Sequence, residues 1–172
     1  MSPRTTGALL ALAAATGFGA MAVLAGVAYT AGADVHGLLL TRFTLAALLL
    51  LPLAAHQGLL PRGRDLWLLA ALGGIGYVTQ SLSYFGAVAL APASLVGILF
   101  GTYPILVALL DAAIHRRRPT PTLLLMATLA ATGTALVAGP ILTGNPLGAT
   151  LALTAAVTYA IYISPEQPRP PE

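Results

Sequence analysis

Cysteine is absent from this 172-residue chain, and so is lysine. Without cysteine there is no disulfide framework, no thiolate-held zinc or iron–sulfur cluster, and no thiol nucleophile. Without lysine there is no Schiff-base chemistry, and all 8 basic residues are arginine. Charge of either sign is scarce: 8% of residues are charged, where a soluble domain carries about 25%. What is abundant is apolar, at 58% of residues with a mean hydropathy of +0.88. Such a chain cannot cover itself with polar groups, which excludes a sizeable soluble domain, a disordered chain and a collagen-like one. The net charge of +3 carries no nucleic-acid signal here. In a membrane protein the placement of arginines matters more than their sum.

Six apolar runs follow one another: Gly7–Thr30, Leu38–Ala55, Leu66–Leu90, Pro92–Ile114, Pro121–Gly139 and Pro146–Ile163. Each approaches the roughly 20 residues a membrane-spanning helix needs. They are long and continuous, so they read as helices and not as the ten-residue alternating strands of a barrel. The fold class predicted is all-α: a polytopic bundle of about six transmembrane helices. Asp65 and Asn145 read as N-caps. Pro92, Pro121 and Pro146 sit where a first helical position is expected and a missing N–H costs nothing. Trp67 stands at a span edge, as an interfacial aromatic should.

The arginines give the orientation. Arg4, Arg62, Arg64, Arg116, Arg117, Arg118 and Arg169 all fall on one side of the six runs, and Arg42 lies inside the second. The positive-inside rule places that side, and both termini, in the cytoplasm of a multi-pass cytoplasmic-membrane protein. Arg4, the first run and Ala31-Gly32-Ala33 imitate a cleavable signal peptide, but the run exceeds the roughly 7–15 residues of a signal core.

An internal repeat is visible. Gly7, Ala8, Leu10, Ala11, Leu12, Ala14 and Ala15 match Gly148, Ala149, Leu151, Ala152, Leu153, Ala155 and Ala156, and Phe18 meets Tyr159. Five spans separate the copies, so the second enters from the opposite face. Inverted repeats with a site between the halves are a recurring plan of secondary transporters.

The residues Arg42-Phe43, Tyr84-Phe85-Gly86-Ala87-Val88-Ala89-Leu90, Ala91-Pro92-Ala93-Ser94-Leu95, Pro104 and the opening of the sixth run at Gly148 carry a resemblance. The chain resembles the EamA-like repeat of the drug/metabolite transporter superfamily. That resemblance implies a five-helix repeat over residues 1–143, the first helix of a second, inverted repeat over residues 144–164, and a Pro-rich cytoplasmic tail over residues 165–172. Members usually have ten spans and move small metabolites, often amino acids, across the inner membrane. Spans one, three and four are then expected to line a central cavity. Two departures stand out. The Glu that the family often carries after span four is replaced by Arg116-Arg117-Arg118. The sequence also ends after the sixth run, which suggests a truncated member or a half that pairs with another chain; sequencing downstream of the stop tests this. Small multidrug relatives use a Glu in their first helix, and the first run here has no acid.

Span four carries Gly97, Gly101, Pro104, Ala108, Asp111 and His115 on one helical face. Pro104 removes an N–H and clashes with the carbonyl of Phe100, so a mid-membrane kink is expected. The small face serves either close packing or a cavity wall. Asp111 is the only acid inside a run: it either pairs with His115 or the arginines near the interface, or couples transport to protons. Span three sets Gly73, Tyr77, Gln80 and Tyr84 along one face, with Gln80 as a substrate contact or an interhelical hydrogen bond. Tyr29, Tyr77, Tyr84 and Tyr103 offer a weakly polar lining for a small organic solute, or ordinary packing. Arg42 either snorkels or pairs with Asp34, or meets a substrate carboxylate. Thr150, Thr154 and Thr158 form a ladder expected to bond to its own backbone.

An enzyme reading finds no support: the histidines are split across the membrane and no nucleophile or phosphate-loop motif occurs. No metal or cofactor is expected. The function expected is transport of a small, amino-acid-like metabolite, with export by alternating access. The alternative is a non-transporting membrane subunit or regulator that packs against partner helices. The partners expected are the lipid bilayer, a small-molecule solute and a second copy or partner chain, and no nucleic acid; Arg116–Arg118 is a topology signal beside anionic lipid.

Overall fold

The computed structural model describes residues 3–61, 63–115, 120–138 and 145–164. Among them every regular element is helical: α1 Pro3–Thr30, α2 Val35–His56, α3 Arg64–Ala71, a π-helical segment Leu72–Tyr77, α4 Val78–Leu90, α5 Ala93–Phe100, α6 Tyr103–Ile114, α7 Pro121–Ala138 and α8 Pro146–Ile163. Five helical stretches are long and apolar enough to cross a membrane, counting α3 through α4 as one and α5–α6 as one. The fifth apolar run forms α7, of which Pro121–Leu136 qualifies as a shorter apolar helix. The protein is therefore a polytopic helical membrane protein. The topology arginines 62, 116–118 and 169, Gly139 and the tail 165–172 lie outside the described residues, as does the side chain of Arg4.

Helix ends follow local chemistry. Asp34 caps α2, its Oδ2 accepting the N–H of His36 at 3.0 Å and of Gly37 at 3.2 Å. These backbone donors, Gly37 first, hold the Asp34 carboxyl below the usual carboxylate range. α1 ends in a Schellman turn: Gly32 takes φ 93°, Gly32 N–H donates to the Tyr29 carbonyl at 3.0 Å, and Ala33 N–H to the Ala28 carbonyl at 3.0 Å. Gly58, at φ 67°, closes α2 in the same way. Asn145 caps α8 as expected, its Oδ1 accepting from Leu147 N–H at 3.0 Å. Asp65 does not cap: α3 starts two residues earlier, at Arg64, Gly63 is the N-cap, and Asp65 sits in the first turn, where its charge faces the positive end of the helix. Pro92 is itself the N-cap of α5, with ψ 136°, and the helix begins at Ala93.

The core lies between α4 and α8. Ala152, Ala155, Ala156 and Ala160 are buried on α8 and Tyr84, Phe85, Ala87 and Val88 on α4. Small residues permit this closeness. A Cβ on Gly148 would stand 2.7 Å from the Ala91 Cβ and 3.3 Å from the Ala91 nitrogen, so only glycine fits. Leu95, Val96 and Leu99 of α5 join the same cluster, with Ala22 and Ala25 from α1.

Span four breaks where Pro104 predicts. Gly101 and Thr102 form a turn between α5 and α6. Gly101 N–H still reaches the Gly97 carbonyl at 2.8 Å, and Thr102 Oγ1 donates to the Leu99 carbonyl at 2.8 Å. A Cβ on Gly101 would lie 3.1 Å from the Gly97 carbonyl oxygen, a tight fit that favours glycine at the bend. The π-helical segment in span three is not foreseen by periodicity. It coincides with Gly73-Gly74-Ile75-Gly76, where three residues lack the side chains that reinforce a regular turn.

Candidate functional site: an aromatic cavity and an intramembrane arginine

A cavity of about 660 Å³ lies between α1, α4, α5, α6 and α8. Its α1 wall is small and apolar, built from Ala14, Ala15, Gly19 and Ala22 beside Phe18. Its opposite wall is aromatic, built from Tyr84, Phe100, Tyr103 and Tyr159. Ser94 and Gly97 supply the α5 side. A Cβ on Gly97 would meet nothing within 4 Å, so this glycine faces open space instead of packing against a neighbour.

The aromatic rings touch in series. Tyr84 and Phe100 have centroids 4.9 Å apart at 71°, Phe100 and Tyr159 5.5 Å apart, and Tyr103 and Tyr159 4.9 Å apart at 79°. The series runs on from Tyr159 to Tyr162 at 6.3 Å and from Tyr162 to Tyr77 at 5.9 Å. Two of these pairs, Tyr84–Phe100 and Tyr103–Tyr159, are edge-to-face, an arrangement that ring quadrupoles favour. At its other end Tyr84 meets Phe85 at 5.5 Å.

Arg42 closes the series. Its Nη2 donates to the Tyr77 hydroxyl at 3.1 Å, and its guanidinium carbon stands 5.4 Å from the Phe85 ring centroid. The expected pairing with Asp34 is not formed, because both Asp34 contacts that cap α2 hold its carboxylate at the helix start. By a rise of about 1.5 Å per residue, Arg42 lies about 10 Å along the helix from Val35. Among the described residues no carboxylate pairs with Arg42; the ion pairs there are His36 with Asp34 and His115 with Asp111. An arginine at the centre of a membrane helix costs about 2.5–3.5 kcal/mol. One hydrogen bond and one ring face offset part of that.

The other candidates fall in several places. Tyr84, Gly97 and Tyr103 come together at the cavity. Tyr77 stands with Arg42. Tyr29 donates to the Phe85 carbonyl at 3.1 Å and so braces α1 against α4 behind the cavity wall. Gln80 is 6% exposed, and its bonded partner among the described residues is its neighbour Ser81, at 3.4 Å, not a facing helix. Gly73 belongs to the π-helical segment, and Gly101 and Pro104 form the bend of span four. Asp111 sits near the end of α6 with its Oδ1 3.0 Å from His115 Nδ1. The threonine ladder bonds to its own backbone, Thr154 to the Thr150 carbonyl at 2.8 Å and Thr158 to the Thr154 carbonyl at 2.7 Å. Sequence reasoning passed over Phe100 and Tyr162, and read Tyr159 only as a repeat partner of Phe18. The spacing of Phe100 with Tyr103, and of Tyr159 with Tyr162, is i,i+3, which marks a shared helix face.

A multi-pass helical bundle with a cavity of small and aromatic side chains between its spans is a form that membrane carriers take. The model of the EamA-like transporter family matches residues 5–139, and the chain belongs to that family. Among curated proteins and among solved structures nothing matches it. The matched range ends before α8, the helix that packs most closely on α4 and completes the aromatic wall.

Proposed function

We propose that the protein carries a small, amino-acid-like metabolite across the cytoplasmic membrane, and that the aromatic cavity is the path. The observation that carries this reading is the cavity itself: about 660 Å³, a volume that suits a small organic molecule, with few polar atoms on its walls. Tyr84, Tyr103 and Tyr159 each present an apolar ring with one hydroxyl, which suits a solute with an apolar body and a polar end. The bend at Gly101-Thr102 and the π-helical segment supply two places where spans four and three can flex during alternating access. The direction proposed is export, with α8 acting as the first helix of an inverted second repeat.

Purified protein in sealed vesicles, loaded with a panel of unlabelled amino acids and offered trace labelled ones outside, is the test. Saturable exchange above protein-free vesicles is expected for at least one solute. Flux equal to that of protein-free vesicles across the panel contradicts the reading. A second reading, a membrane subunit that binds partner helices, draws on the wholly exposed stretch Thr5–Ala20 of α1. Cysteine pairs engineered along that stretch, in a chain with no native cysteine, would cross-link to a second copy or partner if it holds.

A further inference from the structure

We propose that Arg42 is the anion-reading residue of this protein, and that the solute it receives is an organic carboxylate with an apolar body. The inference rests on the small-solute reading above and names the chemical class. Three observations converge on Arg42. First, its guanidinium has five N–H donors, and among the described residues only the Tyr77 hydroxyl accepts from it. Second, no carboxylate of the described chain neutralises it. Third, it is held in place and not left to wander: Tyr77 fixes one nitrogen and Phe85 supports the guanidinium.

Access is built in from two directions. A groove of about 480 Å³ runs from Ala33, at the α1–α2 turn, past Gly37 and Thr41 to Arg42. On its other side Arg42 borders a cavity of about 490 Å³ shared with Phe18 and Phe85. Ala14 and Phe18, one turn apart on α1, also line the large aromatic cavity, so the two spaces adjoin along these two side chains. A solute with its carboxylate on Arg42 can therefore lay its apolar body along Phe18 toward the aromatic wall. Guanidinium and carboxylate match as a planar, bidentate pair, which lysine does not reproduce. An oxyanion at Arg42 has one other source, the phosphate of an outer-leaflet lipid entering by the Ala33 groove. The depth of Arg42 and the apolar cavity behind it favour the solute.

The test compares 3-phenylpropionate with 3-phenylpropanamide, and butyrate with butyramide. Calorimetric titrations use the full chain in nanodiscs of phosphatidylcholine, and again of phosphatidylglycerol. Wild type is expected to prefer each carboxylate over its isosteric amide by about tenfold or more, the worth of one charge-assisted contact. Arg42→Gln should abolish that preference, the carboxylate binding no better than its amide. Arg42→Lys, the gentler variant should Arg42→Gln not fold, should retain only part of the preference. Tyr77→Phe, which frees the guanidinium, should weaken carboxylate binding by about threefold. Amides that bind while carboxylates gain nothing in wild type overturn the role of Arg42 and leave the small-solute reading standing. Carboxylate preference lost only in phosphatidylglycerol, with lipid retained by wild type and not by Arg42→Gln in native mass spectra, overturns the solute in favour of the phosphate of a net-anionic lipid, which no choline neutralises. No binding of any of the four probes overturns both readings.

Discussion

Helices α1 and α8 begin with nearly the same residues and meet opposite fates. Gly148, Ala152, Ala155, Ala156 and Ala160 of α8 are buried, whereas their counterparts Gly7, Ala11, Ala14, Ala15 and Gly19 of α1 are exposed. Phe18 is 48% exposed, while its counterpart Tyr159 is tied into the aromatic series. The two helices have the same capacity to pack closely. What differs is the partner: α8 has α4 against its small face, and α1 touches the core only from Met21 onward, through residues such as Ala22 and Ala25. Small-residue patterns thus state that a helix can be approached, not that it is. The unapproached stretch of α1 is one wall of the cavity, so the same pattern closes a seam in α8 and borders open space in α1.

Substitutions at matched positions should break that equivalence. The largest effect is expected at Gly148. Gly148→Leu forces a side chain against Ala91, where even a Cβ would stand 2.7 Å from the Ala91 Cβ and 3.3 Å from its backbone nitrogen. Overpacking of this kind should cost ~3 kcal/mol or more, read as a lowered unfolding midpoint in a denaturant titration in detergent. Gly7→Leu, where a Cβ meets nothing within 4 Å, should change the midpoint by no more than ~0.5 kcal/mol. The next pair is Ala156 and Ala15. Ala156→Leu should destabilise by ~1–3 kcal/mol. Ala15→Leu should leave stability near wild type and instead fill the cavity, slowing solute exchange by about tenfold.

Much of this architecture is legible in the residues, for reasons that are local. Asn145 before Pro146 predicts a capped helix because a side-chain amide and a proline ring act within one turn. Pro104 predicts a break in span four because it lacks an N–H wherever it stands. The threonine ladder predicts its own bonds for the same reason. Asp65 misleads because Gly63, at φ 62°, can start the helix earlier. The aromatic series is not legible beyond its i,i+3 pairs, since it joins the π-helical segment, α4, α5, α6 and α8, and α2 through Arg42, across distances that only packing sets. The partner of Arg42 is hidden for that reason also: Asp34 is nearer in sequence, but capping engages it and Tyr77 is nearer in space. Of the candidate site, Tyr84, Gly97 and Tyr103 are within reach of a sequence reading, and the family resemblance points to span one as a wall without naming its residues; Ala14, Ala15, Phe18, Gly19 and Ala22 are set only by packing.

Two smaller tests sharpen how α1 is held. Tyr29→Phe removes the hydroxyl that bonds to the Phe85 carbonyl and should cost ~1 kcal/mol, read in the same denaturant titration. The smallest effect concerns the start of α2. Asp34 has its carboxyl lowered in the folded protein by the Gly37 and His36 N–H groups, so its capping contribution is present above the ordinary aspartate range. That contribution is lost as pH falls through the lowered value. Hydrogen exchange at His36 and Gly37 should accelerate on acidification beyond the intrinsic pH dependence, and Asp34→Asn should remove that excess.

The central claim is that the cavity walled by α1 is a solute path and that the seam between α4 and α8 is closed. Because the chain has no cysteine of its own, single cysteines report this directly. Ser94→Cys and Gly97→Cys, which line the cavity, should react with a water-soluble methanethiosulfonate in membrane vesicles, and a transported solute should slow the reaction. Ala152→Cys, buried against α4, should stay unreactive. Unreactive cysteines at positions 94 and 97, or equal reactivity at position 152, would contradict the account.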